Sequence, residues 1–157
     1  DLQRRASDLR KGLVMKKERP LRSAFRKFYP MPTRWNDNDA YGHINNVVYY
    51  EYVDTAVNLW LVENGLLDIE KGAVINLVAE TGCTFFESAI YPEVLEIGLA
   101  VSRLGNSSVT YAAGIFRRGH DQAIAACHFV HVAVDRATQT PVPMSDKMRE
   151  CLGTLLP

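Results

Sequence analysis

Two aspartates and a histidine fall within seven residues of one another, at Asp37, Asp39 and His43, in a polar run that ends in Asn45-Asn46. Directly after that run the apolar pattern becomes helical, so these side chains sit in the loop before a helix N-terminus. Unsatisfied N–H groups and about half a positive charge are concentrated there. A carbonyl oxygen bonded to the first helical N–H groups is stabilised as negative charge develops on it, and losing one such donor costs about 10²–10³ in rate. Asp39 is placed to attack that carbonyl or to activate a water. Asp37 and Asp39 are equally natural caps for the loop and helix, and the triplet alone leaves both readings open.

Other chemistries fit less well. With Asp37 as the first ligand of a calcium loop, the fifth position is Tyr41 and the twelfth Val48, where an oxygen ligand and a bidentate glutamate are required; only Gly42 conforms. His120, His128 and His131 make no obvious metal set, because His128 and His131 are three apart in a strand-like run and face opposite sides. Neighbouring Cys127 and His128 point apart for the same reason, which weakens a Cys/His nucleophile. Gly-rich phosphate loops and G-x-S-x-G are absent. We expect no metal and no organic cofactor.

The elements that position the loop follow from periodicity. Residues 25–35, with four aromatics and two prolines, read as a first strand at a sheet edge or ending near Pro30. Val53, Val57, Trp60 and Leu61 form an i, i+4, i+7, i+8 stripe, extended by Val47, Val48 and Tyr50, between an N-cap at Asn45 or Asn46 and a stop at Asn64-Gly65. Residues 73–86 read as a strand bent near Gly82. Two more strands put Leu95, Ile97, Leu99 and Val101, then Val109, Tyr111, Ala113 and Ile115, on one face, joined at Gly105-Asn106. After a turn at Arg118–Asp121, residues 122–134 are apolar on both faces, which predicts a central strand covered on each side. A short helix follows Pro143. The fold class expected is α+β, one long helix laid across a curved antiparallel sheet of about five strands. The second apolar face of the last strand suggests cover by another subunit.

A chain of 157 residues, 47% hydrophobic and 23% charged, suits one soluble domain. Its zero net charge conceals an asymmetry: residues 1–34 carry 11 Lys/Arg against 3 Asp/Glu, whereas residues 35–157 carry 7 against 15. Residues 1–24 read as a basic appendage to a body at 25–157, with Leu2, Leu9 and Leu13 as one weak helical face. Attraction to the acidic body or to a partner subunit is favoured over nucleic acid or membrane. Cys83, Cys127 and Cys151 lack CxxC spacing and are read as reduced thiols. With no apolar run of about 18 residues, the expected location is the cytoplasm.

The string from Asp37 to Ala56, DNDAYGHINNVVYYEYVDTA, resembles the signature of hotdog-fold thioesterases of the 4-hydroxybenzoyl-CoA thioesterase type, D-x-D-x-x-G-H-x-N-N-x-x-Y; the strand order and the closing stretch Arg136–Pro143 are similar too. The resemblance implies hydrolysis of acyl-CoA between subunits of a dimer or dimer of dimers, CoA being part of the substrate. It implies Asp39 as nucleophile or general base and the Asn46 backbone N–H as the group polarising the thioester. His43 matches a position used catalytically in related plant thioesterases, where Asn stands in place of Tyr41, so it is read as orienting. Asp37 supports the loop, and Glu87 is a second candidate carboxylate. Arg103, Arg117 and Arg118 are candidates for the CoA phosphates. Tyr49 is a candidate for the acyl pocket, as are Tyr50, Tyr52 and Trp60. The alternatives are a hotdog module that senses acyl-CoA without hydrolysing it, and an acyl-carrier thioesterase or dehydratase of the same fold.

Overall fold

The computed structural model of the chain describes residues 18–157. The expected face at Leu2, Leu9 and Leu13 lies outside the described residues, as does most of the basic segment 1–24.

The long helix, α1, spans Asn46–Glu63. It begins at Asn46 because the Asn45 side chain accepts the Val47 N–H at 3.1 Å, satisfying a donor that has no partner inside the helix. Its end is set by Asn64 and by Gly65, whose φ of 65° turns the chain away as glycine readily does. Tyr49, Tyr52, Val53, Ala56, Val57, Trp60 and Leu61 are its buried residues. The stripe therefore runs into the first turns through Tyr49 and Tyr52. Val47 and Tyr50 were expected to extend it, but Val47 is exposed and Tyr50 only half-buried. At 3.6 residues per turn, positions 49, 53, 56 and 60 share one line and 47 and 50 fall beside it.

Five antiparallel strands wrap this helix: β1 (Lys27–Pro32), β2 (Val74–Phe85), β3 (Val94–Leu104), β4 (Ser108–Arg117) and β5 (Ala125–Asp135), in the order β1-β3-β4-β5-β2. This is the α+β hotdog arrangement. Leu95, Ile97, Leu99 and Val101 on β3, and Val109, Tyr111, Ala113 and Ile115 on β4, are buried and join the helix stripe in one core. A second, short helix α2 (Asp146–Gly153), capped by Ser145, adds Met148 and Leu152 to it.

Three expectations need correction. β4 holds the middle of the sheet; β5 lies between β4 and β2, and its second face is left partly exposed at Ala126, Val130 and Val132. Small and β-branched residues suit a half-covered strand as well as a fully covered one, so composition could not separate the two. The irregularity in β2 falls between Val78 and Glu80, not at Gly82. Gly82 instead lies beneath the His128 imidazole, where a Cβ would collide. Finally, Cys83 and Cys127 face each other in the β2–β5 register, Cα atoms 4.1 Å apart, and are joined as a disulfide; Cys151 is the free thiol. They are 44 residues apart, and only strand pairing brings them together, so no local spacing announces the pair.

His131, on the inner face of β5, is 3% exposed. It packs against Phe129 and Tyr111, and its Nδ1 is buried without a hydrogen-bond partner. Burial pushes its pKa from 6.5 down to about 4, so the folded protein keeps the ring neutral. The unfolded chain takes up the proton below about pH 6.5 and the folded chain only below about 4; stability therefore falls as pH drops through that window. Chemical denaturation at pH 7 and 4.5 should show wild type losing about 2–3 kcal/mol more than His131→Leu, and equal losses would refute this assignment.

Candidate active site

The loop between β1 and α1 is built by short-range hydrogen bonds. After a turn of 3-10 helix at Trp35–Asp37, Asn38 and Ile44 pair as an isolated bridge and enclose a tight turn. Within it the Asp39 N–H donates to the His43 carbonyl at 2.8 Å and the Gly42 N–H to the Asp39 carbonyl at 3.1 Å. Gly42 has φ 83°, a conformation that side chains resist. The Asp39 carboxylate is oriented by the Tyr41 N–H, which donates to Oδ1 at 2.8 Å. Among the described residues Oδ2 has no partner.

Asp37 is the opposite case. It is 1% exposed, and its carboxylate accepts the Tyr52 hydroxyl at 2.6 Å, the Arg34 N–H at 2.9 Å and the Arg34 guanidinium. Burial alone would raise its pKa, but the Tyr52 hydroxyl, the Arg34 N–H and the Arg34 charge together outweigh it and hold the carboxyl below its ordinary value. Burial, then the bond to Asp37, pushes the Tyr52 hydroxyl far up, so it stays a donor. The Asp37 carbonyl in turn accepts the Asn45 N–H at 2.9 Å.

Beside the loop opens a cavity of about 420 Å³. One wall is the loop and the start of α1, with Asp39, Tyr41, His43, Ile44, Asn46 and Tyr49; the other is the end of β2 and the residues after it, with Phe85, Phe86, Glu87 and Ser88. Backbone bonds tie the walls together. The Ile44 N–H donates to the Ala89 carbonyl at 2.8 Å, and the Tyr91 N–H donates to Asn38 Oδ1 at 3.1 Å. Tyr49 stands edge-on to Phe85 at 5.1 Å, and burial raises its hydroxyl pKa. Among the described residues the Asn46 N–H, first of α1, has no acceptor. The cavity is thus lined by Asp39, one of whose carboxylate oxygens has no partner among the described residues, and by Asn46, the first residue of α1.

Of the residues singled out in the sequence, the fold brings Asp39, His43, Asn46, Tyr49 and Glu87 onto this one cavity. Asp37 lies behind the loop, and Tyr52 and Trp60 are in the core. Arg117 does not line the cavity. Its guanidinium donates to Glu93 Oε1 at 2.7 Å, to Glu87 Oε1 at 3.3 Å and to the Ser88 carbonyl, and so holds the second wall. Arg103 and Arg118 are exposed and outside the lining. Sequence reasoning missed Phe85 and Phe86, because it treated residues 73–86 only as a strand, and Ser88 just beyond it; two adjacent aromatics at a strand's end are the signal that could have flagged a wall. No three His, Cys, Asp or Glu side chains converge as metal ligands among the described residues.

Among the described residues no helix is long and apolar enough to cross a membrane. The model of the thioesterase-like superfamily matches residues 33–152. No curated protein matches the chain significantly. Among solved structures, the PA5185 protein of Pseudomonas aeruginosa strain PAO1 is 48% identical, with a TM-score of 0.86, covering 88% of this chain and 97% of that one. A 1,4-dihydroxy-2-naphthoyl-CoA thioesterase from Synechocystis is 16% identical, with a TM-score of 0.74 over 80% of this chain and 94% of its own. A gentisyl-coenzyme A thioesterase is 22% identical, with a TM-score of 0.72 over 80% and 99%; at these identities the two share the fold. With the family matched from the start of the loop to the last helix, the chain belongs to the thioesterase-like superfamily and is a thioester hydrolase of the hotdog fold.

Proposed function

We propose that the substrates are acyl-CoA thioesters, cleaved to free CoA and a carboxylic acid, with Asp39 as nucleophile or general base and the Asn46 backbone N–H as the donor to the thioester oxygen. The observation that carries this reading is that Asp39, held at Oδ1 by the Tyr41 N–H, and Asn46, the first residue of α1, line the same cavity. Two structurally similar proteins are named as CoA thioesterases, which supports CoA as the carrier.

The thioester carbonyl oxygen would accept the Asn46 N–H at the positive end of α1, where developing oxyanion charge is stabilised. The bond from Tyr41 to Oδ1 keeps Asp39 in one orientation and leaves Oδ2 to act. As nucleophile, Oδ2 attacks the carbonyl carbon, CoA leaves as the thiolate, and water then hydrolyses the mixed anhydride. As general base, Oδ2 takes a proton from a water that attacks directly, and the tetrahedral intermediate expels the thiolate. His43, exposed at the rim, orients substrate or water; Tyr49 with Phe85 and Ile44 gives the acyl group an apolar seat. Glu87 is the poorer choice, because both its oxygens are held by guanidiniums.

The assembly proposed is a dimer through β2. This strand is at the sheet edge and exposes Val74, Leu77 and Val78, an unpaired ladder that invites a second copy. The cytoplasm is proposed as the compartment on the chemistry of the carrier; the cysteines no longer argue for it, since Cys83 and Cys127 are bridged.

Thiol release over a panel of acyl-CoA chain lengths tests the reaction. Asp39→Asn should fold normally and lose at least about 10² in kcat; undiminished turnover would remove Asp39 from the mechanism. In single turnovers in 18O-labelled water, label entering the Asp39 carboxylate identifies the nucleophile, whereas label in the product alone fits either role, since water can also open the anhydride at its acyl carbon. Asn46→Pro deletes the N–H at a position where proline is tolerated, and Asn45, at φ −59° and ψ 135°, already has the conformation a following proline requires. It should retain α1 by circular dichroism and lose about 10²–10³ in kcat, while Asn46→Ala, which keeps the N–H, should not. Light scattering should give a dimer for wild type and a monomer for Val78→Lys; a monomeric wild type would contradict the β2 interface.

A further inference from the structure

We propose that Arg19 is a positioning residue for the anionic substrate: it cancels the charge of Glu87 at the cavity rim so that the phosphates of an acyl-CoA meet no net negative wall. This deepens the hydrolase reading and rests on it.

Arg19 lies near the end of the basic segment and is fixed to the body at three points. Its Nε donates to the Ala123 carbonyl at 2.7 Å, its guanidinium lies 5.9 Å from the centre of the Phe86 ring, and it pairs with Glu87 Oε2. The backbone on either side is anchored too, by the Ala123 N–H donating to the Pro20 carbonyl at 3.0 Å and by the bridge between Leu21 and Gln122. Phe86 and Glu87 both line the cavity. Arg117 takes the other Glu87 oxygen and also Glu93, so two guanidiniums face two carboxylates on this wall. Among the described residues the sum on this wall is neutral, and Asp39 across the cavity has no ion-pair partner.

A cavity of about 420 Å³ that seats the acyl group and thioester has no room for the nucleotide end of the carrier. The phosphates must therefore lie at or beyond the rim, where the Glu87 side chain is 45% exposed. Removing the Arg19 charge leaves Glu87 half-compensated and facing a multiply charged anion. The wall itself keeps its shape, because Arg117 still holds Glu87, Ser88 and Glu93, and the Phe86 and Glu87 N–H groups still donate to the Ile124 carbonyl. Arg19 is thus separable from Arg117: one sets charge, the other sets position.

The test measures KM and kcat for an acyl-CoA, Kd for CoA by calorimetry, and thermal stability, for wild type, Arg19→Gln, Arg19→Lys and the double variant Arg19→Gln/Glu87→Gln, each at 50 and 500 mM salt. Arg19→Gln should raise KM and Kd by about 5-fold to 30-fold at low salt, with kcat within twofold of wild type, and the effect should shrink at high salt as screening takes over. Arg19→Lys, which keeps the charge, and the double variant, which restores neutrality, should both recover most of the loss. A double variant no better than Arg19→Gln, or a salt-independent defect accompanied by lower stability, would mean that Arg19 only braces the wall and overturns the proposal. So would KM and Kd values for Arg19→Gln within twofold of wild type. A wild type that binds CoA with this Arg19 dependence but releases no thiol fails the hydrolase reading while sustaining the charge balance. One that hydrolyses acyl-CoA without Arg19 dependence does the reverse.

Discussion

A carboxylate taken out of water must be met by donors on nearly every side, because an ion buried without compensation costs several kcal/mol. Asp37 is such a carboxylate, and the conformation of the loop from Arg34 to Asn45 is the one that surrounds it. The Arg34 N–H and guanidinium arrive from the strand side of the loop and the Tyr52 hydroxyl from the second turn of α1. The Asp37 carbonyl fixes Asn45, the residue that caps the helix. One residue thereby ties the exit from β1, the turn that carries Asp39 and the first turns of α1 to a common point. Shifting the helix by one residue would withdraw Tyr52 and leave Asp37 under-satisfied. The register between Asp39 and the Asn46 N–H is set by that penalty rather than by anything the two groups do to each other.

The second wall follows from the first. Ile44 and Asn38 hold Ala89 and Tyr91, so the segment after β2 is carried by the same loop that presents Asp39. Ile124 fixes Phe86 and Glu87 from the other side, through β4 and β5. The cavity between the walls is consequently a property of the whole sheet closing on one helix, and its dimensions change only if strand pairing changes. For the reaction proposed, such a site is pre-organised: the donor and the carboxylate assigned to it would not have to be assembled when substrate arrives.

Much of this was legible in the sequence, for identifiable reasons. The stripe at Val53, Val57, Trp60 and Leu61 and the alternation at Leu95–Val101 report burial on one face, and burial on one face is what periodicity encodes. The caps at Asn45 and Asn64-Gly65 are local chemistry and could be read locally. What stayed hidden depends on contacts between distant segments. The Cys83–Cys127 bridge exists only because β2 and β5 pair in that register. Arg117 was a candidate for the CoA phosphates, yet its surroundings come from residues 24 and more positions away, at Glu93, Ser88 and Glu87. The place of Tyr49 on the cavity, in contrast to Tyr50, follows from the phase of the helix, which aromatic composition does not specify.

Under the mechanism proposed, the two carboxylates on the cavity divide reactivity from structure. Glu87 has a guanidinium on each oxygen. Attack by either oxygen would require breaking a charge-assisted bond at a half-exposed site, so its lone pairs are already committed. Among the described residues Asp39 has one backbone N–H on one oxygen and nothing on the other. Its neighbour on the same wall is the start of α1, whose first N–H groups attract negative charge without neutralising the carboxylate through a direct bond. A nucleophile or base has to be ionised, oriented and under-coordinated at once. Full pairing would satisfy the first two conditions and destroy the third, which is why a single backbone bond, rather than a salt bridge, is the support that suits Asp39.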